Sequence, residues 1–120
     1  MLTDKFTEKE SQRGFYAYYE AEFCGVVVLR EEFTVEKGLA EKPLEDYITN
    51  VIANNGYTNI DPQTKDGLWF YERTNDVTFL RSYCYKGSDS FWIVQFLCYP
   101  SDAQSLKDLF YLWAQDVQVK

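Results

Sequence analysis

A chain of 120 residues has the size of one domain, and such a domain buries roughly two thirds of its unfolded surface, enough for a core without disulfides or a metal. A net charge of −7 excludes nucleic acid and anionic membrane surfaces as expected partners, because both need clustered Lys and Arg. The chain has no histidine, which removes the commonest general base, the usual metal ligand and every Ser–His or Cys–His nucleophile.

The chain reads as a single domain over residues 1–120, with no repeat or linker. Leu2 to Phe6 alternates and reads as a short edge strand. Thr7 to Arg13 is polar and reads as a loop or one helical turn. From Phe15 to Phe23 the alternation is clean: Phe15, Ala17, Tyr19, Ala21 and Phe23 share a core face, while Tyr16, Tyr18, Glu20 and Glu22 share a wetter one. A second strand runs from Val26 to about Phe33, with Gly25 marking a bulge or bend before it.

Thr34 to Lys42 is a charged loop. Pro43 opens a helix, since a missing N–H costs nothing in the first turn. Leu44, Tyr47, Ile48, Val51 and Ile52 form its apolar stripe. Gly56 ends it as a left-handed cap. Tyr57 to Asp66 reads as a loop. Gly67 to Arg73 is a strand on which Trp69, Tyr71 and Arg73 share a face. Asn75-Asp76 reads as a tight turn, and Val77 to Lys86 as the next strand. Ser90 to Tyr99 is apolar on both faces, as a central strand covered on both sides must be. Ser101 and Gln104 have the form of a capping box opening a helix to about Gln115, with Leu106, Leu109, Phe110, Trp113 and Val117 as its stripe.

The expected fold is α+β: an antiparallel sheet of about six strands flanked by two amphipathic helices, an α/β/α sandwich in which the helices take opposite faces or a long loop closes one of them.

Chemistry is sparse. Glu20 and Glu22 share a strand face, and Glu31 and Glu32 point to opposite faces. Neither pair has the spacing of a metal loop, and the scattered glycines make no phosphate loop. No catalytic residue, metal or cofactor is expected. Cys24, Cys84 and Cys98 have no Cys-x-x-Cys spacing and read as free thiols of a reducing compartment. The N-terminus carries no secretory pattern and no apolar run is long enough to span a bilayer, so a soluble, cytoplasmic protein is expected. Cys98 is the thiol to consider for reactivity, because a helix opening at Pro100-Ser101 would lower its pKa.

Aromatic residues make up 18% of the chain. Most belong in a core. Tyr16, Tyr18, Trp69 and Tyr71, with Arg73, are the candidates for an aromatic binding surface.

The runs Gly67-Leu-Trp-Phe-Tyr-Glu, Ser82-Tyr-Cys-Tyr-Lys-Gly-Ser-Asp-Ser-Phe-Trp-Ile-Val-Gln-Phe-Leu-Cys-Tyr and Phe110-Tyr-Leu-Trp-Ala-Gln-Asp-Val117 resemble small bacterial proteins of the Mog/PsbP-like fold family. The resemblance is strongest over residues 67–117. It implies an antiparallel sheet between helices and a role in docking to other proteins. The function expected is a non-enzymatic interaction or adaptor module with an unknown protein partner. The alternative is a small-molecule binder using the aromatic cleft.

Overall fold

The computed structural model describes residues 24–119 in full and the backbone of residues 7–9 and 17–20. Among the described residues seven strands run antiparallel: β1 (Thr7–Lys9), β2 (Ala17–Glu20), β3 (Cys24–Glu32), β4 (Gln63–Lys65), β5 (Leu68–Thr74), β6 (Phe79–Lys86) and β7 (Ser90–Cys98). They form one sheet in the order β1-β2-β3-β7-β6-β5-β4. The fold is α+β with one antiparallel sheet and two helices. Seven strands replace the expected six, but the outermost two have three residues each. Both short strands fall in segments the sequence marks as loops, since three residues carry no readable period. The expected strand over Leu2 to Phe6 lies outside the described residues.

Strand β7 sits at the centre, paired with β3 on one side and β6 on the other. Its register with β3 is continuous from Cys24 opposite Cys98 to Glu32 opposite Ser90. Gly25 therefore makes no bulge; it is an ordinary ladder position opposite Leu97.

The two faces of β7 feed separate cores. Val94, Phe96 and Cys98 join Phe110 and Trp113 of helix α2 (Ala103–Gln115). Phe91 and Ile93 join Tyr47, Ile48 and Ile52 of helix α1 (Leu44–Asn54). Each helix covers a different face, as a doubly apolar central strand requires. Ring pairs fasten both layers: Phe96 stacks on Phe110 with centroids 5.0 Å apart, and Tyr47 on Phe91 at 3.9 Å. Burying one such side chain contributes about 1.5–3 kcal/mol.

On the α2 side a charged cluster is built into the apolar layer. The Arg81 guanidinium donates to Glu72 through Nε at 2.8 Å and to the Tyr83 hydroxyl at 3.0 Å. Its central carbon lies over the Phe70 ring, 4.7 Å from the centroid. Lys107 of α2 approaches the same Glu72 oxygen at 3.9 Å. Arg81 and Glu72 are cross-strand neighbours in the β5–β6 register, and opposite charges in that position attract.

The helix α2 starts two residues later than Ser101. A 3-10 turn over Pro100–Asp102 precedes it, and neither cap carries a side-chain hydrogen bond, so the expected capping box does not form. The Asp66-Gly67 pair, read from sequence as loop end and strand start, is the two-residue turn joining β4 to β5. Both residues have positive φ, 51° and 84°, which is the geometry that favours Asp-Gly in a tight hairpin. The next connection is longer than Asn75-Asp76 alone. The Asn75 side chain accepts from the backbone N–H groups of Val77 and Thr78, and the Asn75 backbone N–H donates to the Thr78 carbonyl.

Candidate binding site

The three sequence candidates whose side chains are described, Trp69, Tyr71 and Arg73, share a face but form no open cleft together. Tyr16 lies outside the described residues. Tyr18 is placed in β2 opposite Val27, and its side chain lies outside the described part. Trp69 is half-buried against the α1-side core. Tyr71 is a correction: it is 0% exposed, and its hydroxyl accepts from Gln95 Nε2 at 3.3 Å. It is a core residue and lines no cleft. Period two correctly places Trp69, Tyr71 and Arg73 on one face, but α1 and the segment after it cover that face.

Arg73 remains. Its guanidinium lies 4.6 Å over the ring of Tyr57. Tyr57 in turn leans on Tyr71, with centroids 6.3 Å apart. Tyr57 is put there by the end of α1. Gly56 has φ +73°. The Gly56 N–H donates to the Ala53 carbonyl and the Tyr57 N–H to the Ile52 carbonyl, at 3.0 and 3.2 Å. This paired pattern is a Schellman motif, which turns the next residue back onto the helix's last apolar turn. Gly56, Tyr57, Thr58, Ile60, Arg73 and Thr74 then line a notch of about 290 Å³. Tyr57 is absent from the sequence candidates. The signal for it is the Asn-Gly helix stop immediately before, which forces the following ring inward.

A second concavity lies where the β5–β6 connection meets the end of β7. Asp76, Val77, Tyr99, Pro100 and Ser101 line an open, mostly apolar groove of about 460 Å³. Val77 is 69% exposed and Tyr99 70%. Two large apolar side chains lining one groove at that exposure stand out, since singly scattered ones are the norm. Period two carries no signal for this groove, because it is built from two strand ends and a loop.

Cys98 sits at the same end of the sheet. Its thiol is not activated: burial first, and then the Asp102 carboxylate, push it up to about 11. Burial, with the acidic 3-10 turn in front of α2 adding to it, outweighs the expected effect of a helix N-terminus.

Other polar clusters serve structure. Arg30 donates to Ser90 at 2.9 Å and to Asp89 at 3.2 Å, tying β3 to the β6–β7 turn. The hydrogen bond from Ser90, with Arg30 adding to it, holds the Asp89 carboxyl below its usual range. Tyr85 donates to the Ala114 carbonyl at 2.7 Å. Tyr111 of α2 donates to Asp66 of the β4–β5 turn.

No protein-family model matches the chain, and no curated protein does. Among solved structures, the solution structure of cyanobacterial PsbP from Synechocystis is similar, with a TM-score of 0.61 over 99% of this chain and 84% of that one, at 11% identity. That likeness shows the fold and supports the PsbP side of the sequence resemblance. No helix among the described residues is long and apolar enough to cross a membrane.

Proposed function

We propose that the protein is a non-enzymatic interaction module, built as a PsbP-like helix–sheet–helix sandwich and working in the cytoplasm. Its docking surface is the groove carrying Val77 and Tyr99. The observation that supports this is the exposure of those two side chains around an open apolar concavity. Tyrosine is a frequent anchor in protein interfaces, because its ring buries a large area while its hydroxyl stays satisfied. The charge of −7 and Asp76 on the rim favour a partner with an apolar residue flanked by basic ones.

The test compares capture by the immobilised wild type with capture by Tyr99→Ser. An exposed substitution of this kind changes stability by no more than about 0.5 kcal/mol, so lost capture reads the surface itself. A partner that the wild type retains, that salt weakens and that Tyr99→Ser releases supports the reading. Retention unchanged by Tyr99→Ser refutes it.

A second reading places a small ligand in the Arg73 notch. It rests on a guanidinium placed over the Tyr57 ring beside two threonine-bearing segments, an arrangement suited to a small carboxylate. Thermal stabilisation of the wild type by carboxylates, absent in Arg73→Met, would favour that reading over the first.

A further inference from the structure

We propose that Cys24 and Cys98 are a reversible modification site, a dithiol that closes to a cross-strand disulfide under oxidising conditions. The two residues are directly opposite each other in the β3–β7 ladder, so their side chains leave the same face of the sheet, the one that α2 covers. Directly opposed residues in an antiparallel pair have Cα atoms about 4.5 or 5.5 Å apart, depending on the hydrogen-bonding position. Both values fall inside the roughly 4.4–6.8 Å that a disulfide spans. Opposed Cβ atoms stand about 4.5–5.5 Å apart and need about 3.5–4.5 Å in the bonded form. The closure required is therefore an ångström or less, and it falls on the last rung of the ladder.

The position also allows a reagent in. Both residues, though buried, keep 8% exposure, where their neighbours Val26 and Phe96 keep none. Cys98 is followed at once by the exposed Tyr99. The third cysteine has neither property. Cys84 is opposite Ile93 and Trp69 in its two ladders, lies in the core under α1 and has its thiol pushed up by burial. The pairing is therefore specific to two of the three.

The chemistry is thiol–disulfide exchange with a small disulfide of the oxidised glutathione class. Cys98, deprotonated, attacks one sulfur of the reagent and expels the first glutathione thiolate, leaving a mixed disulfide. Cys24, deprotonated, attacks the Cys98 sulfur and expels the second. The protein loses two thiol protons and two electrons, and one glutathione disulfide becomes two thiols. Burial first, and the facing Cys98 second, push the Cys24 thiol up to about 11. This slows the exchange, because the thiolate is the nucleophile, and leaves the equilibrium to the geometry.

The experiment equilibrates the full-length reduced protein in glutathione buffers of graded redox ratio. It then quenches with acid, alkylates free thiols under denaturing conditions and maps the peptides by mass spectrometry. The expected product is a peptide pair joined through Cys24 and Cys98, lighter by two hydrogens, growing with the oxidised fraction and abolished by dithiothreitol. Cys84 is alkylated throughout, and Cys84→Ala keeps the link. Cys98→Ala loses it; should that variant fail to fold, the wild-type map decides alone. The proposal is overturned if Cys24 and Cys98 are recovered from the most oxidising buffer as free thiols or as separate glutathione adducts. It is equally overturned if the link runs through Cys84.

Discussion

The half-buried pair between Arg81 and Glu72 gives a sharp prediction. Arg81 has 12% and Glu72 23% of its side chain exposed, with N···O at 2.6 Å. Arg81→Met keeps the stem over Phe70 and removes three interactions at once: the ion pair, the hydrogen bond to Tyr83 and the cation over the ring. Removing one partner of a buried pair costs about 3–5 kcal/mol, chiefly through the charge left behind. Two features pull the value to the lower end. Glu72 retains some water, and Lys107 is already 3.9 Å away. A loss of about 3 kcal/mol is expected, which lowers the melting midpoint by roughly 12 °C for a domain of this size. Glu72→Gln costs less, about 2 kcal/mol, because the amide oxygen still accepts from Arg81. The double variant leaves no stranded charge and costs about 2 kcal/mol, less than Arg81→Met alone, so urea unfolding of the four proteins should return a coupling energy of about 3 kcal/mol. A coupling below about 0.5 kcal/mol would refute the reasoning, since that is the level of an exposed surface pair.

The other changes probe the turn that places Tyr57 and the tyrosine that joins α2 to the β4–β5 turn. A Cβ at Gly56 meets nothing within 4 Å, so Gly56→Ala suffers only the left-handed backbone strain, about 1–2 kcal/mol, and Gly56→Asn less; chemical denaturation of both should reproduce that order. Hydrogen bonding to Asp66 first, and burial second, raise the Tyr111 phenol from its ordinary 10.0 to about 12. A group whose folded pKa is raised stabilises the fold fully below the unfolded value and loses that contribution as pH rises toward the folded one. Wild type should therefore lose stability from pH 10 to 12, and Tyr111→Phe should lose less over the same window, as thermal melts at each pH would show.

What the sequence made legible follows from where periodicity is strong. The stripe Leu44, Tyr47, Ile48, Val51, Ile52 and the double-sided run Ser90 to Tyr99 are long enough for a period to emerge, and both elements stand where expected. Strand β4 was not legible by period, although Asp66-Gly67 carried the hairpin signal in its turn chemistry. The site was legible only at Arg73. Alternation says which side chains share a face, and it placed Tyr71 with Arg73 correctly. Whether that face is covered depends on α1, which reaches it through contacts distant in sequence, so the burial of Tyr71 could not be read locally. The Val77–Tyr99 groove was illegible for the same reason: its two halves come from separate strand ends.

The sheet's outermost strands have a consequence for the behaviour of the protein at high concentration. An unpaired strand edge is a template onto which another chain can add, and the hazard grows with length and apolar character. Here the long apolar strands are all interior, and each boundary is drawn by three residues, Thr-Glu-Lys on one side and Gln-Thr-Lys on the other. A newcomer pairing along β4 would gain few backbone bonds, would bury little apolar surface and would meet the exposed Lys65. The strands richest in rings, β5, β6 and β7, thereby stand inside the row and not at its ends.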